Sequence, residues 1–469
     1  MKKLTLSLAA AALAIGTASA QMHGTSAKAD SLAAYQPQPY ATIHNAPWSE
    51  TAVLYELNTR QFTPEGTFRA ARKQLPRLKK LGVNIIWLMP IHPIGKKNRK
   101  GTLGSPYSVR NYLEVNPRLG TKADLKAFVD AAHKLGMHVI LDWVANHTAW
   151  DNVWVKAHPD WYERNWKGDF TPTPWWDWSD IIDLNYDKPA LRKAMTDAMV
   201  YWVKNFGIDG YRADVAGYVP LDFWETARAR LERIRPVFML AEWKFPEYTR
   251  KAFDAVYAWD WHNTMKNIAQ GKADATALYG YYSENESAWP KSAMRMVYVA
   301  NHDSNAWEGT QYENFGEALP AVIALSFTGE GIPMIYDGQE ACNHKRLAFF
   351  EKDTIQWDAH PDCRLGSLFH DLIRFRDDNK ALHNGKWGAR MVKVDNDKPQ
   401  QVFSWVRQEG NDKVFGVFNL SAKPVTVSFP TRLQAGTYHE FRGSAPVTIT
   451  RGETMTLPAW GYRLFAHEE

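Results

Sequence analysis

Between residues 52 and 378, short apolar runs alternate with segments of helical period, and the alternation repeats eight times. Residues 53–57, 84–91, 138–142, 206–214, 237–242, 255–260, 295–301 and 331–336 read as strands. Residues 68–81, 121–135, 189–205, 221–234, 316–328 and 365–378 read as helices; Thr121 is an N-cap with Asp124 three positions on. Strands that alternate with helices pair in parallel, and eight units imply an α/β chain closed into a (β/α)8 TIM barrel over residues 46–384. An open doubly wound sheet is the competing arrangement, but no glycine-rich phosphate loop follows a first strand.

Two stretches depart from the rhythm. Residues 148–187 are too long for a barrel loop and carry Trp150, Trp154, Trp161, Trp166, Trp175, Trp176 and Trp178, so they read as a small lobe inserted after the third strand. From residue 385 to 469 the pattern becomes short alternating strands at 390–394, 401–405, 414–418, 425–429 and 455–457, an all-β sandwich domain. At the other end, Lys2-Lys3, an apolar centre over 4–15 and Ala18-Ser19-Ala20 read as a signal peptide cleaved after Ala20. A linker over 21–45 follows, and the mature protein is expected to be secreted or periplasmic, without a membrane anchor. Cys342 and Cys363 could pair in such a compartment or stay as buried thiols.

The 56 Lys and Arg against 51 Asp and Glu give a net charge of +5 without a basic stripe, which argues against a nucleic-acid partner. The 21 Trp fit either an aromatic core or flat walls on which sugar rings stack. The strand ends favour the second use. Asp142 to His147, Arg212-Ala213-Asp214, Glu242-Trp243 and Asn301-His302-Asp303 end four strands, at the face where such barrels keep their chemistry. Arg212 shares the face of Asp214, two residues away, and would hold that carboxylate ionised as a nucleophile requires. Asp214 and Glu242 lie on neighbouring strands, which suits the ~5–5.5 Å spacing of retaining glycosidases. Apolar neighbours would keep Glu242 protonated as the acid, Asp303 would bind and distort the sugar, and His147 and His302 would donate to its hydroxyls. Taken singly, each residue could be an ion pair, a cap or a core histidine, and the Asp142–His147 stretch could ligate a metal.

Those four stretches resemble the short regions of the α-amylase family, glycoside hydrolase family 13. Asp183-Leu184-Asn185, the stretch from Leu81 to Pro90, Tyr107, and Gly331-Ile332-Pro333 with Gly338-Gln339-Glu340 are similar to further family motifs over residues 50–465. The resemblance implies Asp214 as nucleophile, Glu242 as acid/base and Asp303 as transition-state stabiliser. It implies Tyr107, His147, Arg212 and His302 as substrate or nucleophile partners, and Asp142 and Asn146 as structural supports. The chemistry then needs no cofactor. Many members hold a structural calcium beside a Lys-His pair after the nucleophile; here those positions are Ala216-Gly217, leaving Asn146 as the metal candidate. Ser108 stands where the family often has Asp, and Val215 resembles members that cut α-1,6 bonds. The expected activity is retaining hydrolysis of α-1,4 links in starch or maltooligosaccharides. The alternatives are an oligosaccharide-specific α-glucosidase, a transglycosylase and, from another class, a non-catalytic glycan-binding protein.

Overall fold

The computed structural model describes residues 40–467, so the signal peptide and most of the linker lie outside the described residues. Strands β1 (Leu54–Leu57), β2 (Ile85–Leu88) and β3 (His138–Trp143) are followed by a two-stranded hairpin, β4 (His147–Ala149) and β5 (Ile181–Asp183). Then come β6 (Gly210–Ala213), β7 (Phe238–Ala241), β8 (Ala255–Tyr257), β9 (Met294–Tyr298) and β10 (Ile332–Tyr336). All but the hairpin close into a parallel barrel in the order β1-β10-β9-β8-β7-β6-β3-β2. Successive side chains face opposite sides of a strand. Leu54, Trp87, Ile140, Leu240, Tyr257, Met296 and Met334 accordingly fill the barrel interior. Their neighbours Tyr55, Ile86, Leu141, Tyr211 and Met239 pack in the cluster shared with the helices. With both faces buried, the strands read as near-continuous apolar runs, which is why they were legible.

Local chemistry explains where elements differ from expectation. Residues 68–81 form two helices, Phe68–Arg72 and Leu75–Leu81, because Pro76 lacks an N–H and suits only a first turn. The helix Lys122–Lys134 carries the full Thr121–Asp124 capping box. Asp260 lies in the helix Trp259–Ala269, not at a strand end, and pairs with Arg295. The insertion after β3 is only partly irregular, since it holds β5 and the helix Val153–Ala157.

The C-terminal region is all antiparallel. β11 (Met391–Lys393), β12 (Val402–Glu409), β13 (Asp412–Asn419), β14 (Val425–Ser428), β15 (Gly436–Glu440), β16 (Pro446–Ile449), β17 (Thr454–Leu457) and β18 (Tyr462–His467) form a six-stranded and a two-stranded sheet. Val406, Phe415, Val427, Met455 and Phe465, drawn from both sheets, share one core. The buried Arg407 donates to the carbonyls of Ala389 (2.9 Å) and Gly329 (2.7 Å), tying β12 to the barrel's last helix–strand turn.

Cys342 and Cys363 form a disulfide across 21 residues between the end of β10 and the helix Leu365–Asp377. A loop of that length is worth about 3 kcal/mol in chain entropy. The double variant Cys342→Ser/Cys363→Ser should therefore unfold at lower denaturant by about that amount, while equal midpoints would show the loop is held without the bridge.

Candidate active site

Ala213 of β6 pairs with Ala241 of β7, and the Glu242 N–H donates to the Ala213 carbonyl (3.0 Å), so Asp214 and Glu242 leave the sheet side by side. Beneath them Arg212 points into the barrel and is wholly buried. Its Nη1 donates to Asp142 Oδ1 (2.9 Å) and Asp214 Oδ1 (2.7 Å), and Nε donates to the Tyr257 hydroxyl (3.2 Å). Nη2 lies 3.0 Å from Glu242 Oε1. The guanidinium also sits over the rings of Trp87, Tyr107 and Tyr257. Asp142 is fixed further by Trp87 Nε1 (3.1 Å) and the Tyr107 hydroxyl (3.0 Å).

A second buried cation faces the first. His302 bonds Glu56 through Nδ1, meets the Tyr107 hydroxyl at 2.8 Å through Nε2, and lies 3.3 Å from Asp303 Oδ2. Burial opposes its charge, but Asp303 and Glu56 outweigh burial and raise it to about 9. Five carboxyl groups thus surround two cations, an excess of negative charge that favours keeping a proton on the most perturbed of them. Glu242 is that group: burial, with Asp214 and Asp303 adding to it against Arg212, raises it to about 8. Burial likewise lifts Asp142 to about 6, against Arg212. The Val215 N–H donates to Glu242 Oε2 (2.7 Å), and Val215 reaches it only with φ +35°. That is a strained conformation for a β-branched residue, of the kind stored at functional sites.

Tyr107, His147, Asp214, Glu242, His302 and Asp303 line one cavity of 420 Å³, with Asp142 and Arg212 beneath it. Asn146 stands behind His147, its Nδ2 3.2 Å from His147 Nδ1, and donates to Asp183 Oδ1 (3.2 Å) and Thr173 Oγ1 (3.1 Å) beside Trp175, Trp176 and Tyr218. Among the described residues, no group of three or more His, Cys, Asp or Glu is arranged to hold a metal ion. At the second of the Ala216-Gly217 positions no side chain fits, because a Cβ on Gly217 would lie 2.0 Å from the Trp243 indole. Ser108 spends its hydroxyl on the Asp180 carbonyl (2.9 Å), fastening the lobe. The sequence did not single out Glu56, Lys100, Asp177, Asp180, Trp307, Phe349 or Phe350. Glu56 had a signal, as a lone charge in an apolar strand. Lys100 had none, since it is one of four cations between residues 96 and 100 and stands at no strand end.

The lobe's aromatic rings divide by role. Trp161 is buried, whereas Trp178 enters the cavity and stacks on Trp176 (5.4 Å, 11° between planes). Trp176 donates to the Tyr218 hydroxyl (2.9 Å), and Trp175 is fully exposed with φ +71°. A ring touching nothing cannot support the core, so Trp175→Ala should weaken binding of long glucans and leave the melting temperature unchanged; parallel losses would assign the ring to packing.

The family described as alpha amylase, catalytic domain, matches residues 42–414, and the maltogenic amylase C-terminal domain matches residues 391–464. The chain is 30% identical over 440 residues to the α-amylase MalA of Haloarcula japonica, covering 89% of this chain and 63% of that protein. It is 28% identical to the α-1,4-glucan:maltose-1-phosphate maltosyltransferase of Bifidobacterium longum, over 71% of this chain and 47% of that one. The chain thus spans less than two thirds of either relative. The structure of a noncanonic maltogenic α-amylase, AmyB from Thermotoga neapolitana, superposes with a TM-score of 0.81 at 31% identity, over 89% of this chain and 99% of that chain.

Proposed function

Since the chain belongs to the α-amylase family of glycoside hydrolases, we propose that it cleaves α-1,4-glucosidic bonds of starch or maltooligosaccharides with retention of configuration. The observation that carries this reading is one guanidinium holding two neighbouring strand-end carboxylates, of which one keeps its proton. In the first step an Asp214 oxygen attacks the anomeric carbon, the glycosidic C–O bond breaks, and Glu242 gives its proton to the departing oxygen. In the second, Glu242 takes a proton from water, the water oxygen attacks the same carbon, and the bond to Asp214 breaks, regenerating both groups. Asp303 flanks the sugar where positive charge develops, Tyr107 gives it a flat face, and His147 and His302 donate to its hydroxyls. Arg212 keeps Asp214 ionised, and Asp142 orients Arg212. Asn146 supports the lobe through Asp183.

A sugar hydroxyl in place of water in the second step would make the same site a transglycosylase, a reading favoured by the similarity to a maltosyltransferase. The chemistry as written needs no cofactor, and a chelator should leave it unchanged. No helix among the described residues is long and apolar enough to cross a membrane, and we propose export after removal of residues 1–20. Incubating the protein with soluble starch, maltoheptaose and isomaltooligosaccharides, with products followed by NMR, tests the reading. α-Anomers first, from α-1,4 substrates, support it; β-anomers first would overturn it.

A further inference from the structure

The cavity has one closed side. The segment 95–104 crosses it as a strap, held at both ends. At the lobe end the Lys96 N–H donates to Asp151 Oδ1 (3.0 Å), and the strap lies so close to β4 that a Cβ on Gly95 would sit 2.4 Å from the Ala149 Cβ. At the far end Thr102 donates to Glu351 Oε1 (2.7 Å) and Leu103 to the Phe350 carbonyl (3.2 Å). Arg60 grips the carbonyls of Gly104 (3.0 Å) and Phe349 (2.6 Å) together. Within the strap, the Arg99 guanidinium bonds the carbonyls of Gly95 (2.7 Å), Ile94 (3.2 Å) and Thr102 (3.3 Å), which fixes its curve. At the crown Lys100 Nζ donates to the Asp177 carbonyl and lies 3.3 Å from its carboxylate, a clasp between strap and lobe. Lys100, Asp177, Trp307, Phe349 and Phe350 all line the cavity that holds the three carboxylates.

The wall stands on a definite side of the reacting bond. Phe349 lies 6.1 Å from the Tyr107 ring and 6.3 Å from His302, and Trp307 continues the wall at 5.3 Å from Phe349. Beyond Val215 and Glu242 the surface instead opens onto Tyr218 and Phe245, both exposed, with Trp243 between them. Tyr107 and His302 face the sugar that is attacked, and Glu242 faces the part that leaves. The wall therefore limits the glycone, while the leaving portion has an open aromatic path.

We propose that the strap and the wall of Phe349, Phe350 and Trp307, braced across the cavity mouth by Lys100 on Asp177, end the sugar channel on the glycone side, so that this site takes the non-reducing ends of α-glucans and releases short products. The proposal rests on the hydrolase reading above and adds the substrate form.

Maltoheptaose labelled at its reducing end tests it at early turnover. The expected result is short unlabelled products with the label retained on the long remainder. Lys100→Ala should raise the share of longer unlabelled fragments several-fold at an unchanged melting temperature, and Lys100→Arg should restore the short pattern. A wild-type enzyme that cuts at mixed internal positions, or a Lys100→Ala pattern identical to wild type, would overturn the clasp while leaving the hydrolase reading intact. No cleavage of any α-glucan by the wild type would remove the hydrolase reading itself, and the clasp with it.

Discussion

Asp214→Asn should lower kcat/KM for maltooligosaccharides by about 10⁴–10⁶-fold, the scale on which removing a covalent nucleophile acts. The fold should survive it. Arg212 keeps Asp142 and the Glu242 contact, so no buried cation is left unpaired, the condition under which breaking an ion pair becomes costly. The amide can still accept from Arg212, and the cavity keeps its shape. Asp214→Ala makes the sharper case, because it vacates the face from which the anomeric carbon is attacked. Added azide should then restore turnover and yield a glycosyl azide of inverted configuration. Near-normal activity in either variant, free of wild-type protein, would contradict the assignment.

Glu242→Gln should lower kcat/KM on maltoheptaose by about 10²–10⁴-fold, the usual contribution of a positioned acid. An α-glycosyl fluoride, whose leaving group needs no proton, should lose far less in the first step. In the wild type, kcat/KM should fall as pH rises through about 8, where Glu242 loses its proton. The same shift has a stability consequence. The folded state holds this proton from the ordinary Glu value of 4.5 up to about 8, so it binds more protons than the unfolded chain in that window. Stability therefore falls as pH rises across pH 4.5–8. Gln removes the burden: the variant should melt above the wild type at pH 9 and level with it below pH 4.5. A variant that melts lower at pH 9 would show that the carboxylate stabilises the fold, and that its proton is not held by burial.

The barrel was legible because a parallel strand covered on both faces must be apolar throughout, and the polar residues ending such strands stand out against that run. Arg212, Asp214, Glu242 and His302 announced themselves this way. Glu56 was visible as a lone charge in an apolar strand, but its partner was not, since His302 lies 246 residues away in the chain. β15, β16 and β18 were missed because Gly436, Pro446 and Tyr462 begin half-exposed strands with little alternation. The clasp was illegible for a different reason. Lys100 and Asp177 are far apart in the chain, and only the hairpin of β4 and β5 brings the lobe back over the strap. The close packing of Trp243 on Gly217 was equally hidden, since it depends on how two barrel loops face each other.

The covalent bond between Asp214 and the anomeric carbon can be trapped directly. A 5-fluoro-α-glucosyl fluoride, which slows the second step more than the first, should accumulate that species. Peptide mass spectrometry of the trapped protein should find one added fluoroglucosyl group on the peptide containing Asp214, absent from Asp214→Asn. No adduct, together with β-anomeric products from maltoheptaose, would mean that water attacks directly and would contradict it.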